Sequence, residues 1–377
     1  MASEGDKGTI LLSAGGTGGH LFPAEALAHE LIARGWSVHL ATDDRAQKYA
    51  DRFPGEAMHV IASGTPSSRN PIKMAGAAFA IWKGLRQSAS LMRQLKPMAV
   101  VGFGGYPTIP PLLAAGGGRP TMIHEQNAVM GRANKMLAGR VTAVAGGFLK
   151  AEGDHADKIV ETGNPVRPAV LAASDQKYSA PKRGSAPIRI VIFGGSQGAR
   201  FFSQTMPDAL AKLPEDIKPR LQVTQQARPE DEGPAKASYA EAGIAADVSP
   251  FFSDLPSRIA GAHLVMARSG ASTVAEIGAI GRPAIFVPYP HALDHDQAAN
   301  AAAMEAAGGA LVRREQDLNV DTVATEIGAL LADPEKLSTM AAAARAAGRR
   351  DAAVLLADLA EAIASGQPVA DFKAANA

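Results

Sequence analysis

The sequence predicts two doubly wound α/β domains, each built on a parallel β-sheet, and three observations predict it. Short apolar, β-prone runs alternate with helical patterns along the whole 377-residue chain, the order that βαβ units require. Two of those runs, ILLSAGGTGG from residue 10 and IVIFGGSQG from residue 190, lead straight into clustered glycines, one strand-to-helix device used twice. The length exceeds one typical domain and suits two, each able to bury its own core.

Taken in order, residues 9–14 read as a buried strand that runs into Gly15-Gly16-Thr17-Gly18-Gly19-His20. Pro23 then opens a helix that stops near Gly35, proline in and glycine out. Further strands are predicted at 37–41, 58–62, 99–103, 121–124 and 141–145. A loop-like stretch rich in Lys, Pro and Ser, 174–187, reads as a linker. The second series follows with strands at 188–193, 221–224, 263–267 and 284–287, an alanine-rich helical region over 333–364, and a tail from Ser365 that frays. Doubly wound halves direct their strand carboxyl ends, and so their binding loops, toward a shared cleft.

Composition narrows the function. A net charge of +1 argues against a general nucleic-acid binder. The first 165 residues hold 17 basic against 13 acidic side chains, a small excess suited to an anionic surface. The absence of cysteine removes disulfides and thiolate metal sites and fits a reducing, cytoplasmic compartment. Met1 to Gly8 lacks the basic and apolar segments of a secretory signal, and no apolar run reaches the roughly 20 residues that span a bilayer. Membrane contact is therefore expected to be peripheral.

The loops carry the chemistry. GGTGGH offers backbone N–H groups and a helix N-terminus to an anion, but Leu21 breaks a G-x-G-x-x-G fingerprint, so Asp43 and Asp44 support a dinucleotide only weakly. An imidazole at a helix start loses basicity to the dipole, which makes His20 a neutral proton acceptor. GGSQGA adds the Ser196 hydroxyl to bare amides and is the better diphosphate site. Glu276 is placed in the first turn of a helix opened by Arg268-Ser269-Gly270-Ala271, where it either binds a ribose diol or closes a capping box with Thr273. Asp294 and Asp296 resemble a metal clamp, yet acidic residues at a helix start are ordinary dipole partners, and that reading is preferred. Gln297 and Asn300 read as donors to sugar hydroxyls. Gly104, Gly105 and Tyr106 after one strand, and His124 and Glu125 with Asn127 after another, should border the same cleft as His20; a satisfied histidine is the plain alternative for His124. Residues 71–96 form a long helical pattern in which Ile72, Phe79 and Trp82 lie beside Lys73, Lys83 and Arg86, a stripe that either packs inward or seats on an anionic lipid surface.

Together GGTGGH, GFGGYPT, HEQN, TGNPVR, FGGSQGA, RSGA-x-TV-x-E and Q-x-x-N-A, in order from about residue 9 to residue 301, resemble a family of bacterial N-acetylglucosaminyltransferases that complete a lipid-linked peptidoglycan precursor. The resemblance implies a GT-B fold, with acceptor domain 1–166, UDP-sugar domain 167–345, a helix 346–364 returning to the first domain, and a flexible tail 365–377. It places Thr17, Gly18 and Gly19 near the donor's reactive end, Asn127 on the amino sugar, and Arg167 and Ser196 on the diphosphate. Phe252 would meet uracil through its backbone, Ala271, Ser272, Thr273, Val274, Ala275 and Glu276 would cradle the nucleoside, and Gln297 would bind sugar hydroxyls. Asp296 and Ala275 depart from the family's usual glutamine and serine.

The expected reaction is attack by a muramyl 4-hydroxyl on the donor's anomeric carbon with inversion, His20 as base, and neither cofactor nor bound metal. Expected partners are UDP-N-acetylglucosamine, lipid-linked muramyl-pentapeptide, the cytoplasmic face of the inner membrane and cell-wall synthesis complexes. Competing readings are a UDP-N-acetylglucosamine 2-epimerase, a dinucleotide-dependent oxidoreductase and a non-enzymatic nucleotide-binding scaffold.

Overall fold

The computed structural model describes residues 7–16, 18–46, 53–64, 71–182, 184, 186–291 and 296–376, with the backbone alone at 71–73 and 195–199. Thr17, Asp294 and the first six residues lie outside the described residues, as do the side chains of Ile72, Lys73 and Ser196. The chain divides into two compact units, residues 1–168 with 350–377, and residues 169–349.

The first unit is a seven-stranded sheet. Its elements are β1 (Thr9–Ser13), α1 (Gly18–Ala33), β2 (Ser37–Thr42), β3 (Ala57–Val60), α2 (Pro71–Leu95), β4 (Ala99–Gly102), α3 (Ile109–Ala115), β5 (Thr121–Glu125), α4 (Arg132–Ala138), β6 (Ala143–Gly146) and β7 (Ile159–Val160). Every pairing is parallel, in the order β3-β2-β1-β4-β5-β6-β7. A parallel sheet is covered on both faces, so its central strands read as continuous apolar runs. Ile10 and Leu12 pack with Leu27 and Leu31 of α1 on one face, while Leu11 packs with Leu91 and Leu112 on the other.

Helix α1 starts at Gly18 and carries Pro23 inside it, not at its opening. The proline falls in the second turn, where its missing N–H forfeits a single bond, to the Gly19 carbonyl, and the glycine-rich start tolerates the change. The first strands lie where sequence pattern put them, and β3 is shifted toward residue 57.

The second unit repeats the device. Helix α5 (Pro168–Ala173) leads into β8 (Ile188–Phe193), α6 (Gly195–Ala211), β9 (Leu221–Gln226), α7 (Pro229–Glu241), β10 (Ala245–Ser249), α8 (Leu255–Gly261), β11 (Leu264–Ala267), α9 (Ala271–Ile280), β12 (Ala284–Phe286), α10 (Asp296–Ala306), β13 (Ala310–Val312), α11 (Val320–Leu331) and α12 (Pro334–Ala347). Its parallel order, β10-β9-β8-β11-β12-β13, matches β3-β2-β1-β4-β5-β6 of the first unit. Residues 174–182, expected to be a linker, instead pack on this unit: Arg282 donates to the Gln176 carbonyl at 2.8 Å, Arg345 to that of Ser174 at 2.5 Å, and Tyr178 to that of His263 at 3.0 Å. Carbonyl acceptors carry no composition signal, so a Lys/Pro/Ser-rich stretch can be well held.

The chain then rejoins the first unit through α13 (Ala352–Ala364) and α14 (Val369–Ala375). Leu356, Leu359 and Ile363 are buried against the α1 side of the sheet, and each contributes roughly 1.5–3 kcal/mol by leaving water. Arg34 reaches Glu30 (2.8 Å), Asp358 (2.6 Å) and Glu361 (2.8 Å), and Trp36 Nε1 donates to Glu361 at 2.7 Å. The tail does not fray as expected: α14 follows Pro368 and seats Phe372 in the same core. One aromatic ring outweighs a polar local composition.

Candidate functional site

In a doubly wound sheet ligands bind at the strand carboxyl ends where strand order reverses. In the first unit that point lies between β1 and β4. There the Gly15 N–H donates to the Gly104 carbonyl at 3.1 Å, tying the two loops together. Gly104 and Gly105 hold φ of +92° and +79°, backbone that only glycine adopts freely. A Cβ at Gly104 would stand 3.2 Å from His20 Nε2, and one at Gly15 would stand 3.2 Å from its Nδ1, so the two glycines make room for the ring.

His20 occupies the first turn of α1. Burial, then the Arg45 charge, push its pKa down to about 4, with Asp43 acting in the opposite direction. The ring is thus neutral at physiological pH, through burial and the Arg45 charge and not through the helix dipole invoked from the sequence. Asp43 belongs to this neighbourhood: Arg45 donates to its Oδ2 at 2.9 and 2.5 Å, and a Cβ at Gly16 would collide with its Oδ1.

The β5 loop is held from beneath. His124 is fully buried, its Nε2 donating to the Gly163 carbonyl at 3.1 Å and its Nδ1 accepting from Gln126 at 3.1 Å. Burial pushes its pKa to about 4, so it is a satisfied neutral histidine inside the sheet, and not a residue bordering an opening. Glu125 is likewise 2% exposed. Its carboxylate accepts from the Asn127 and Gly131 amides at 3.0 and 2.9 Å and from the Asn134 side chain at 2.8 Å, while burial raises its pKa. Both residues therefore shape the loop that carries Asn127. Tyr106 begins a short 3-10 turn after the glycines and is partly exposed. Arg167 lies with its guanidinium 4.1 Å from the ring centroid of Phe22, which brings the NPVR segment onto the first turns of α1, beside Gly18, Gly19 and His20.

In the second unit the reversal lies between β8 and β11. Helices α6 and α9 start there behind Gly194 and Gly270, and neither N-terminus is capped by a side chain. Uncapped first-turn amides and a helix dipole favour an anion. The predicted capping box is absent: Gly270 is the N-cap, Thr273 sits in the first turn, and Glu276 falls in the second turn at 8% exposure. The box occurs instead at Asn319 and Thr322 of α11. The hydroxyl of Ser272 is buried with no protein partner, as is that of Ser269, an orphaned donor beside the amides of Ala271 and Thr273. Val274 N closes the first helical bond, to Gly270 O at 3.0 Å, and Ala275 precedes Glu276 in the same helix.

The flanking loops are tethered. Gln297 Oε1 accepts the Tyr289 N–H at 3.0 Å, which turns its amide NH2 to other use. Asn300, expected as a sugar donor, is fully buried and donates to the Ser269 carbonyl at 3.3 Å; it positions the α9 entry. Asp296 stands in the first turn of α10, the dipole position. Phe252 lies under the Arg258 guanidinium, 4.4 Å away. Sequence reasoning gave Arg268 no role, yet it is the hub of this end: it donates to the Val287 carbonyl at 3.1 Å and to Glu315, and faces the rings of Phe201, Phe202 and Tyr289 at 5.2–5.6 Å. Its charge directly before the Ser269-Gly270 pair was the available signal.

Away from these loops, α2 exposes Met74 (53%), Phe79 (65%) and Trp82 (51%). The two rings stack at 5.7 Å, and Arg86 lies 5.2 Å from the Trp82 ring. Among the described residues no helix is long and apolar enough to cross a membrane.

The models of the glycosyltransferase family 28 N-terminal and C-terminal domains match residues 10–146 and 189–356. A protein of Sinorhizobium medicae is 61% identical over 98% of this chain and 99% of its own length. Another, of Chelativorans sp., is 60% identical over 97% and 98%. Both are described as UDP-N-acetylglucosamine–N-acetylmuramyl-(pentapeptide) pyrophosphoryl-undecaprenol N-acetylglucosamine transferase. The crystal structure of Acinetobacter baumannii MurG superposes with a TM-score of 0.75 at 29% identity, covering 94% of this chain and 99% of that one. A UDP-N-acetylglucosamine 2-epimerase shares the fold at 15% identity, with a TM-score of 0.62 over 93% and 95% of the two chains.

Proposed function

We propose, from the premise that this chain belongs to glycosyltransferase family 28, that it transfers N-acetylglucosamine from UDP-N-acetylglucosamine to undecaprenyl-pyrophosphoryl-N-acetylmuramyl-pentapeptide. The observation that carries the reading is the likeness, about 60% identical along nearly the full length of both chains, to transferases so described.

In this reading the donor's uridine rests on the α9 entry, with Glu276 on the ribose and the Phe252 main chain on the uracil edge. The diphosphate takes the α6 and α9 amides and the Ser272 hydroxyl, with Ser196 and Arg167 as further donors. Donors fixed before the reaction stabilise the departing charge without reorganising. The muramyl 4-hydroxyl attacks the anomeric carbon from the face opposite the diphosphate, so one displacement inverts the centre and no covalent enzyme intermediate forms. Its proton passes to His20, whose neutral form leaves a nitrogen able to accept it; the Asp43 carboxylate is the countercharge for the resulting imidazolium. Asn127 and the Gln297 amide orient the sugar. Steric room for acceptor loops comes from the Gly104–Gly105 turn.

The same reading seats α2 peripherally on the inner face of the membrane, where Phe79 and Trp82 enter the headgroup layer beside Lys83 and Arg86. Such a seat gives access to a lipid-borne acceptor and to other cell-wall enzymes.

The test is turnover of labelled UDP-N-acetylglucosamine with and without the lipid-linked acceptor. Acceptor-dependent disaccharide formation that survives a chelator supports the reading. Donor consumption without acceptor would assign an epimerase instead.

A further inference from the structure

The loop that follows β10 is gathered by one arginine side chain. Arg258, on α8, places its guanidinium 4.4 Å from the Phe252 ring centroid. It also donates to Asp247 of β10 at 2.6 Å and to both carboxylate oxygens of Asp254 at 2.9 and 3.0 Å. Asp247 stands before the loop and Asp254 after it, so one planar cation joins the loop's entry, its exit and the aromatic ring between them. Thr224 Oγ1 lies 3.4 Å from the same guanidinium and ties it to the neighbouring strand, β9. The rest of the loop is held more lightly: Gln226 donates to the Pro250 carbonyl at 3.1 Å, and the Ser249 hydroxyl donates to the Phe251 carbonyl at 3.1 Å. Phe251 itself is exposed.

We propose that Arg258 is a positioning residue for base recognition: by clamping Phe252 between Asp247 and Asp254 it fixes the peptide groups against which uracil is read. The inference rests on the donor-site reading above. Uracil presents an N3–H donor beside an O4 acceptor, whereas cytosine presents the reverse pair, an N3 acceptor beside an amino donor. A main-chain carbonyl and N–H locked in one orientation accept the first pattern and leave unpaired groups against the second. A loop free to rotate its peptide planes loses that discrimination. Each of the two exposed ion pairs is weak by itself, but together with the ring contact they define one geometry, which Lys, lacking the planar fork, does not reproduce.

The experiment measures UDP and CDP binding by calorimetry and donor kinetics for wild type, R258A, R258Q and R258K. The expected result for R258A is an approximately tenfold weaker UDP affinity and an equal rise in donor KM, with kcat at saturating donor retained. CDP affinity should change little, so the UDP/CDP preference narrows; R258K should fall between. Should R258A fold poorly, R258Q carries the same measurement with its amide in place of the guanidinium. General structural damage would lower kcat and weaken both nucleotides alike, and that result would overturn the proposal, as would a wild-type UDP/CDP ratio in both R258A and R258Q. A wild-type protein that binds no UDP would overturn the donor-site reading itself.

Discussion

The His20 ring lies against the backbone of Gly104, so near that a single added carbon would stand 3.2 Å from both its Nε2 and its Cδ2. The β4 loop thereby crowds the imidazole with its backbone.

Gly104→Ala should consequently cost more activity than stability. The residue sits at φ +92°, where a side chain costs about 1–3 kcal/mol of strain, and relief of the contact moves His20. The expected outcome is a kcat reduced about 100-fold with a midpoint of thermal unfolding only a few degrees lower. Retained kcat would detach the ring's position from the reaction.

Ser272→Ala separates binding from folding in the other direction. The hydroxyl is buried without a protein partner, so its removal relieves an unsatisfied group and stability should hold or rise by up to about 1 kcal/mol. UDP affinity should fall by roughly 5- to 10-fold if the hydroxyl meets the diphosphate. Calorimetric titration with UDP beside urea denaturation checks both.

Stability should decline with acidification starting near neutrality. His20, His124 and His263 are all pushed to about 4 in the folded protein, by burial first. Unfolded, they titrate at the ordinary value of 6.5. Their depressed folded pKa means that the unfolded chain binds more protons between 6.5 and 4, so the stability present above 6.5 is lost as pH falls through that window. Urea midpoints should drop between pH 7 and pH 5, and His124→Gln should flatten the slope.

Replacing Phe79 and Trp82 together by Ala should reduce co-sedimentation with anionic vesicles by roughly 10-fold or more. Turnover of a short-chain, water-soluble acceptor should persist. Equal loss in both assays would place the stripe in the fold rather than on a lipid surface.

Arg34→Ala should cost about 1–3 kcal/mol, because three carboxylates gather on one half-buried guanidinium. Glu361, which its hydrogen bonds from Lys7, Trp36 and Arg34 hold at about 2 despite burial, should titrate closer to its ordinary 4.5 in that variant. Carboxylate titration followed by NMR measures it.

The sheet centres were legible because buried parallel strands leave continuous apolar runs, and the glycine turns after β1 and β8 are uncommon enough to mark strand ends. The two-residue β7, the three-residue β13 and the five-residue edge strand β10 were missed, the first two because so short a strand is selected by its neighbour, and β10 because only Val248 of its five residues is buried, which leaves no apolar run to read. Glu276 was misplaced by one turn because a threonine three residues before a glutamate looks like a cap, whereas the helix begins behind a glycine with no side chain to show. His124 was read at an opening because its strand leads there; its side chain points into the sheet, a fact that alternation cannot give in a strand buried on both faces. Asn134 escaped notice for want of a local signal: its partner Glu125 is nine residues away.

The first unit is assembled from two stretches separated by the whole of the second. During synthesis, residues 169–349 are complete and able to compact while α1 still shows its oily flank to chaperones, waiting for Leu356, Leu359 and Ile363 to leave the ribosome. A stop codon after residue 349 would spare the second unit and strand its companion, so truncated protein should appear as a protease-resistant core of unit two attached to a digestible remainder.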